Sequence, residues 1–321
     1  MKEQKWFEFC GGSAFSALSL LVVWNVAPEH FKGIFSCILV LVLFELGARR
    51  LPAILRQFSY VVAGIASLIV IGEASPHFFK PAPNYVWSSY AGATVCLYSL
   101  SERAGKRQRL VQALASSIAV VFSLCTLWIL LPGAAVAPAW AALALALFVS
   151  GLRRDLLHQR WQAYGVMVAG IVNAWGTGFH AAAWILVSAC YVAQFLSPME
   201  TQRVPGRRLG LVDRYARVFW SLLGTISVTT LLWEQFPGGL LTTAWGVEGL
   251  TLLIAGFPLR ERVLRLEGLA MLLVCILKLF LYDLRSLETA YRILSFVALG
   301  LILLGVSSIY TRFRKQVSRY L

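Results

Sequence analysis

Long apolar segments alternate with short polar stretches along the whole chain. An α-helix needs about 20 apolar residues to cross the hydrocarbon core of a bilayer. The pattern therefore predicts an all-α integral membrane protein with about 12 transmembrane helices. The predicted spans are 10–28, 33–49, 57–75, 86–101, 110–132, 136–152, 161–177, 178–196, 214–235, 240–257, 266–283 and 288–311.

The polar stretches between the spans are short. The longest are 75–85 and 198–213, and neither has room for a folded domain. We therefore expect one polytopic transmembrane domain over residues 1–321, without a soluble catalytic module.

Lysine and arginine are distributed unevenly between the two sides that the spans define. Twenty-four of the 29 fall in seven segments on one side, and only Lys32, Lys80, Lys278, Arg285 and Arg292 fall on the other. Basic loops stay in the cytoplasm. This distribution predicts a multi-pass membrane protein with both termini in the cytoplasm.

Composition supports the membrane assignment. Apolar residues make up 59% of the chain and charged residues 14%, whereas soluble domains have roughly 45–50% and about 25%. The basic loops account for the net charge of +14, so we expect the bilayer and its anionic lipid headgroups as partners. Membrane proteins are further possible partners, and nucleic acid is not expected.

A glycine–arginine pair recurs at a fixed interval. Gly47, Gly151 and Gly256 each lie nine residues before an arginine, and they are 104 and 105 residues apart. The interval equals two helical hairpins, so the repeats have the same orientation and the predicted architecture is an array of parallel-oriented hairpins. We expect each glycine to end its helix in a left-handed conformation and each arginine to begin the next helix at the headgroup level.

Ionisable residues are concentrated near the end of the chain. Glu248 and Lys278 are expected at similar depth in consecutive spans, which predicts an ion pair between them. Four more charged residues follow at the same rim: Asp283, Arg285, Glu288 and Arg292. Two interpretations are open for these six residues. They form either a charge network that fixes helix packing or a polar site for a substrate headgroup or a proton.

Motifs for known chemistry are not found in the sequence. There is no phosphate-binding loop, nucleophile elbow or zinc motif in a usable context, so no catalytic residue, metal site or cofactor is predicted. His30, His77 and His180 map to the sparsely charged side, but they come from three separate loops without ligand spacing.

The C-terminal stretch resembles a bacterial family. It reads Trp245-Gly-Val-Glu-Gly-Leu, Arg265-Leu-Glu-Gly-Leu, Lys278-Leu-Phe-Leu-Tyr-Asp-Leu and Tyr291-Arg-Ile-Leu-Ser-Phe. These motifs, within about residues 245–314, resemble the predicted membrane proteins of domain of unknown function 2339. The resemblance implies a bacterial inner-membrane protein, supplies no activity, and directs attention to Lys278, Asp283 and Arg292.

These observations favour a polytopic membrane protein that binds or translocates an amphiphilic, lipid-linked envelope substrate. Two alternatives stay open: a non-catalytic subunit or scaffold of an envelope complex, and a membrane-embedded lipid or sugar transferase.

Overall fold

The computed structural model describes residues 2–49, 54–74, 86–104, 108–178, 180–197, 211–237 and 239–281, together with isolated helical positions between 297 and 308. This described part contains eleven α-helices and one short 3-10 helix, Glu29–Phe31. The helices are α1 (Lys2–Val26), α2 (Lys32–Arg49), α3 (Ile54–Ala74), α4 (Val86–Ala104), α5 (Arg109–Leu130), α6 (Gly133–Arg154), α7 (Leu157–Thr177), α8 (His180–Leu196), α9 (Leu211–Gln235), α10 (Gly239–Ala255) and α11 (Arg262–Leu281).

The first eleven predicted spans each correspond to one of these helices. The tight break between the seventh and eighth spans is confirmed, because α7 ends at Thr177 and Gly178 turns the chain with a φ of 67°. The twelfth predicted span, 288–311, lies outside the described residues except at isolated positions.

Five helices of the described part are long and apolar enough to cross a membrane: Trp6–Val26, Ile54–Glu73, Arg109–Leu130, Gly133–Arg154 and Tyr215–Gln235. Large apolar side chains such as Leu68, Val95 and Leu114 are exposed on the helices. Exposed apolar side chains suit a lipid environment, in which helix association is driven by packing and hydrogen bonds rather than by burial of apolar surface.

The chain divides into two compact units, Met1–Trp220 and Ser221–Leu321, and the division falls within α9. In the first unit, a core cluster joins α2 to α5 and includes Leu43, Leu100 and Phe122. In the second unit, a smaller cluster forms around Trp245, Met271 and Cys275.

The repeat seen in the sequence is a structural repeat of three helices. Helices α1, α5 and α9 end at Val26, Leu130 and Gln235, which are 104 and 105 residues apart. The helices that follow correspond in the same way, so we define repeat 1 as α1–α3, repeat 2 as α5–α7 and repeat 3 as α9–α11. Helix α4 packs on α2 as α8 packs on α6.

The expected reason for the repeated glycines is wrong. Gly47 and Gly151 lie inside α2 and α6, and the only described glycine with a positive φ is Gly178. The glycines instead permit close packing within each hairpin, because a Cβ added to Gly151 or Gly256 would lie 2.9 or 2.5 Å from Cγ of the arginine nine residues later. At Gly47 the added Cβ would lie 2.6 Å from the backbone nitrogen of Arg56.

The left-handed residue comes four positions after the glycine. Asp155 and Arg260 have φ of 57° and 54°. In both turns the next N–H donates to the glycine carbonyl, from Leu156 to Gly151 at 3.0 Å and from Glu261 to Gly256 at 3.1 Å. This six-to-one hydrogen bond is the one that ends a helix in a Schellman motif. Repeats 2 and 3 therefore share the left-handed residue and the six-to-one hydrogen bond of this turn.

Candidate functional site

Helix α9 carries a line of hydroxyl groups. Ser221, Thr225 and Thr229 are spaced by four residues, so they lie on one face of the helix. Ser221 and Thr225 are buried. Thr229 also donates to the carbonyl of Thr225 at 2.9 Å, as helical threonines commonly do. These hydroxyl groups are partners for acidic side chains on α10 and α11.

Glu267 on α11 is bound by two of these hydroxyls. Ser221 and Thr225 donate to its Oε2 at 2.6 and 2.9 Å. The residue is 8% exposed, and its Oε1 is buried without a hydrogen-bond partner. A half-satisfied carboxyl group in this setting is costly, because a buried polar atom gains nothing in return for its lost hydration.

Glu248 on α10 is bound by the third hydroxyl. Thr229 approaches its two carboxyl oxygens at 3.1 and 3.2 Å. Glu248 is also only 8% exposed. The next residue, Gly249, lies where α10 crosses α11, and a Cβ added there would lie 3.1 Å from the carbonyl of Gly268. Close helix packing therefore fixes the position of Glu248.

Lys278 on α11 is held by a hydroxyl and an aromatic ring. Its Nζ donates to Thr242 Oγ1 at 2.7 Å and lies 5.3 Å from the ring centroid of Trp245. The indole of Trp245 is buried and donates to the carbonyl of Thr229 at 3.2 Å. The tryptophan therefore connects the lysine to the same region of α9 that binds Glu248.

The ion pair expected between Glu248 and Lys278 is not formed in the described structure, where each side chain is bound by a threonine. The two residues are nevertheless in the same region, because Trp245 lies beside Lys278 and donates to the carbonyl of Thr229, the residue that binds Glu248. The other four predicted site residues, Asp283, Arg285, Glu288 and Arg292, lie outside the described residues.

The three repeats make the same contact with different chemistry. Ser116 donates to Gln162 in repeat 2, and Ser221 donates to Glu267 in repeat 3; each pair is 46 residues apart. The equivalent pair in repeat 1 is Gly12 and Phe58, where a Cβ added to the glycine would touch the ring at 3.6 Å. One structural position is thus apolar, neutral polar and acidic in turn.

The other ionisable residues of the site also belong to repeat 3 alone. Glu248 corresponds to Leu39 and Leu143, and Lys278 corresponds to Ile69 and Asn173. Three positions that hold uncharged residues in repeats 1 and 2 therefore hold a lysine and two glutamates in repeat 3. Sequence reasoning missed Glu267 and the hydroxyl line, although shifting the sequence by 105 residues aligns Glu267 with Gln162 and would have revealed the charge.

The described residues contain no group of three or more His, Cys, Asp or Glu side chains that can hold a metal ion. The polar groups that the arrangement brings together are one ammonium group, hydroxyls and two carboxyl groups.

Comparison with known proteins places the chain in a family. The chain matches no curated protein and no solved structure. It matches the family model described as Predicted membrane protein (DUF2339) over residues 17–313, far more than the C-terminal stretch whose motifs showed the resemblance. The match covers nearly all of the three repeats. The chain therefore belongs to the DUF2339 family of predicted membrane proteins.

Proposed function

We propose that this protein binds an amphiphilic, lipid-linked envelope substrate through a singly charged anionic headgroup at Lys278. The observation that carries the proposal is the environment of this lysine. Its ammonium group contacts Thr242 and Trp245, and no carboxylate of the described residues pairs with it. A lysine within an apolar helix is costly and marks a functional position.

The repeats show that the fold does not need this charge. The equivalent residues are Ile69 in repeat 1 and Asn173 in repeat 2, while the Thr242 that holds the lysine corresponds to Gly33 and Ala137. Both members of the Lys278–Thr242 contact are therefore particular to repeat 3. A binding role gives a reason for a costly charge that two related repeats do without.

The surrounding groups indicate the kind of ligand. The ammonium and hydroxyl groups are donors suited to phosphate or carboxylate oxygens. Exposed Val274, one turn before Lys278 on α11, and exposed Leu277, the residue next to the lysine, offer apolar surface for an acyl chain. Glu248 places a carboxyl group in the same region, so a monoanion such as a phosphodiester suits the site better than a dianion.

Binding can be tested with the full chain in neutral detergent. Short-chain phosphatidylglycerol supplies a phosphodiester monoanion, and an alkyl glucoside of equal chain length supplies an uncharged comparison. Lys278→Asn introduces the residue of repeat 2 and should weaken binding of phosphatidylglycerol about tenfold or more, equal to about 1.4 kcal/mol. Binding of the glucoside should not change.

Lys32 offers a matched control. It also lies beside a tryptophan, with its Nζ 4.6 Å from the ring centroid of Trp24, but it approaches the carboxylate of Glu29 at 3.9 Å. Lys32→Asn should leave phosphatidylglycerol binding unchanged. Equal weakening by both variants would indicate general attraction to cations and contradict a site at Lys278. No weakening by Lys278→Asn would favour a structural role and a scaffold function.

A further inference from the structure

Glu267 lies in a different part of repeat 3 from the proposed headgroup site. It is the sixth residue of α11, which begins at Arg262, whereas Lys278 is near the other end. We infer that Glu267 is a proton-exchange site, in which the carboxyl group takes up and releases a proton while Ser221 and Thr225 hold it in place. This function goes beyond headgroup binding and does not depend on it.

The hydrogen bonds of Glu267 provide the first argument. Both observed donors, Ser221 and Thr225, are neutral hydroxyls, and both act on Oε2. Oε1 is buried without a partner in a residue that is 8% exposed. Buried ionic groups are normally paired with an opposite charge. A proton bound to the carboxylate neutralises its negative charge in place of a cationic side chain, and it needs no additional space.

Charged groups on the packed helices do not replace the proton. Arg217, one turn before Ser221 on α9, donates through Nε to the carbonyl of Ser197. Arg265 on α11 donates to the carbonyl of Glu261 and lies over the ring of Phe257. The other charged side chains that the structure describes on these helices are Glu234, Glu248, Arg262 and Lys278, and Glu267 forms no ion pair with any of these four.

The repeat provides the second, independent argument. Ser116 and Ser117 bind Gln162 in repeat 2, so a neutral amide satisfies the same helix contact. Phe58 fills the position in repeat 1. Thr225, the second donor to Glu267, corresponds to Val120 in repeat 2 and to Ser16 in repeat 1. Repeat 3 alone combines an acid with hydroxyls at both positions, as expected when the carboxylate must be stabilised after it loses its proton.

The exchange step is simple. The O–H bond of the carboxyl group breaks, the proton passes to a water molecule, and the electron pair remains on the carboxylate. The hydroxyls of Ser221 and Thr225 donate to this carboxylate, and water returns the proton in the reverse step. Thr229, one turn further along α9, binds Glu248, so a second carboxyl group lies on the same line of hydroxyls.

Dicyclohexylcarbodiimide tests the inference, because it enters apolar regions and modifies protonated carboxyl groups. The full chain in detergent would be labelled over a range of pH and analysed by peptide mass spectrometry. We expect modification of Glu267 that decreases as the pH rises. Ser221→Ala with Thr225→Val, which removes both donors, should shift the midpoint of this decrease to higher pH.

The outcomes distinguish a proton site from other roles. Glu267→Gln restores the residue of repeat 2 and should abolish the label on this peptide while the protein still accumulates in the membrane. Absence of label on wild-type Glu267 at every pH, or a pH-independent label, would overturn the inference. Protection by sodium chloride at fixed pH, but not by choline chloride, would replace the proton with a metal cation and would also overturn it.

Discussion

The crossing of α10 and α11 allows a quantitative prediction. A Cβ added to Gly268 would lie 2.6 Å from the carbonyl oxygen of Gly249 and 2.6 Å from the backbone nitrogen of Leu253. Both obstacles are backbone atoms, so no side chain can rotate out of the way. Gly268→Ala therefore requires the two helices to move apart by nearly 1 Å, since ordinary contacts of this kind are 3.4–4 Å.

The magnitude follows from two opposing terms. Overpacking a well-packed contact costs typically about 1–3 kcal/mol, and contact with two backbone atoms of α10 places this case near the upper end. Replacing glycine by alanine within a helix contributes about 1 kcal/mol in the other direction. We expect Gly268→Ala to destabilise the protein by about 2 kcal/mol net.

Gly246 on α10 supplies the matched control, because a Cβ added there meets nothing within 4 Å. Gly246→Ala should stabilise the protein by up to about 1 kcal/mol, so the two variants should differ by about 3 kcal/mol. The assay is thermal or denaturant unfolding in mixed micelles, followed by the reaction of buried Cys275 with a thiol-reactive dye. A Gly268→Ala protein as stable as the Gly246→Ala protein would refute the reasoning.

Three further predictions address the turns, the response to pH and the topology. Asp155→Asn should lower the free energy of unfolding by about 1–3 kcal/mol, although asparagine tolerates the left-handed backbone. The reason is that the guanidinium of Arg160, which is 3% exposed, loses the carboxylate oxygen that lies 2.7 Å away. An unchanged stability would contradict this. Burial lowers the pKa of His158 from 6.5, and Glu102 partly opposes this effect, so the folded protein binds the imidazole proton more weakly than the unfolded chain does. The contribution of His158 to stability should therefore be constant above the unfolded-state pKa and decrease as the pH falls through that value. His158→Gln should reduce that decrease in thermal melts at acidic pH. A cysteine at Arg153 should react only with reagents that reach the cytoplasm and one at Pro237 only with reagents added outside; the reverse result would contradict the predicted orientation.

The helices were largely predictable because membrane spans have a simple physical requirement. A span needs a length of apolar sequence, and the eleven described helices correspond to such segments. The repeat was also visible, since the glycines and arginines recur at a fixed spacing. The role of the glycines was not predictable, because spacing alone does not show which backbone atoms a glycine faces. The left-handed turns occur at Asp155 and Arg260 instead.

The candidate site was predictable only in part. Equal depth predicted that Glu248 and Lys278 lie in one region, and contacts through Trp245 and Thr229 connect them there. Their actual partners, Thr229 and Thr242, gave no signal in the sequence, because most helical threonines bind a carbonyl of their own helix. A hydroxyl that also reaches a neighbouring helix is indistinguishable in sequence from one that does not.

The paired tryptophans have a spectroscopic consequence. Trp128 and Trp140 lie with ring centroids 5.9 Å apart and planes at 32°, and Trp233 and Trp245 lie 5.8 Å apart with planes at 34°. Electronic transitions of two indoles at such a separation couple and produce a pair of circular dichroism bands of opposite sign. The first pair belongs to Met1–Trp220 and the second to Ser221–Leu321. Each unit therefore carries its own optical reporter, and removing one tryptophan at a time would show which unit loses its tertiary structure first on heating.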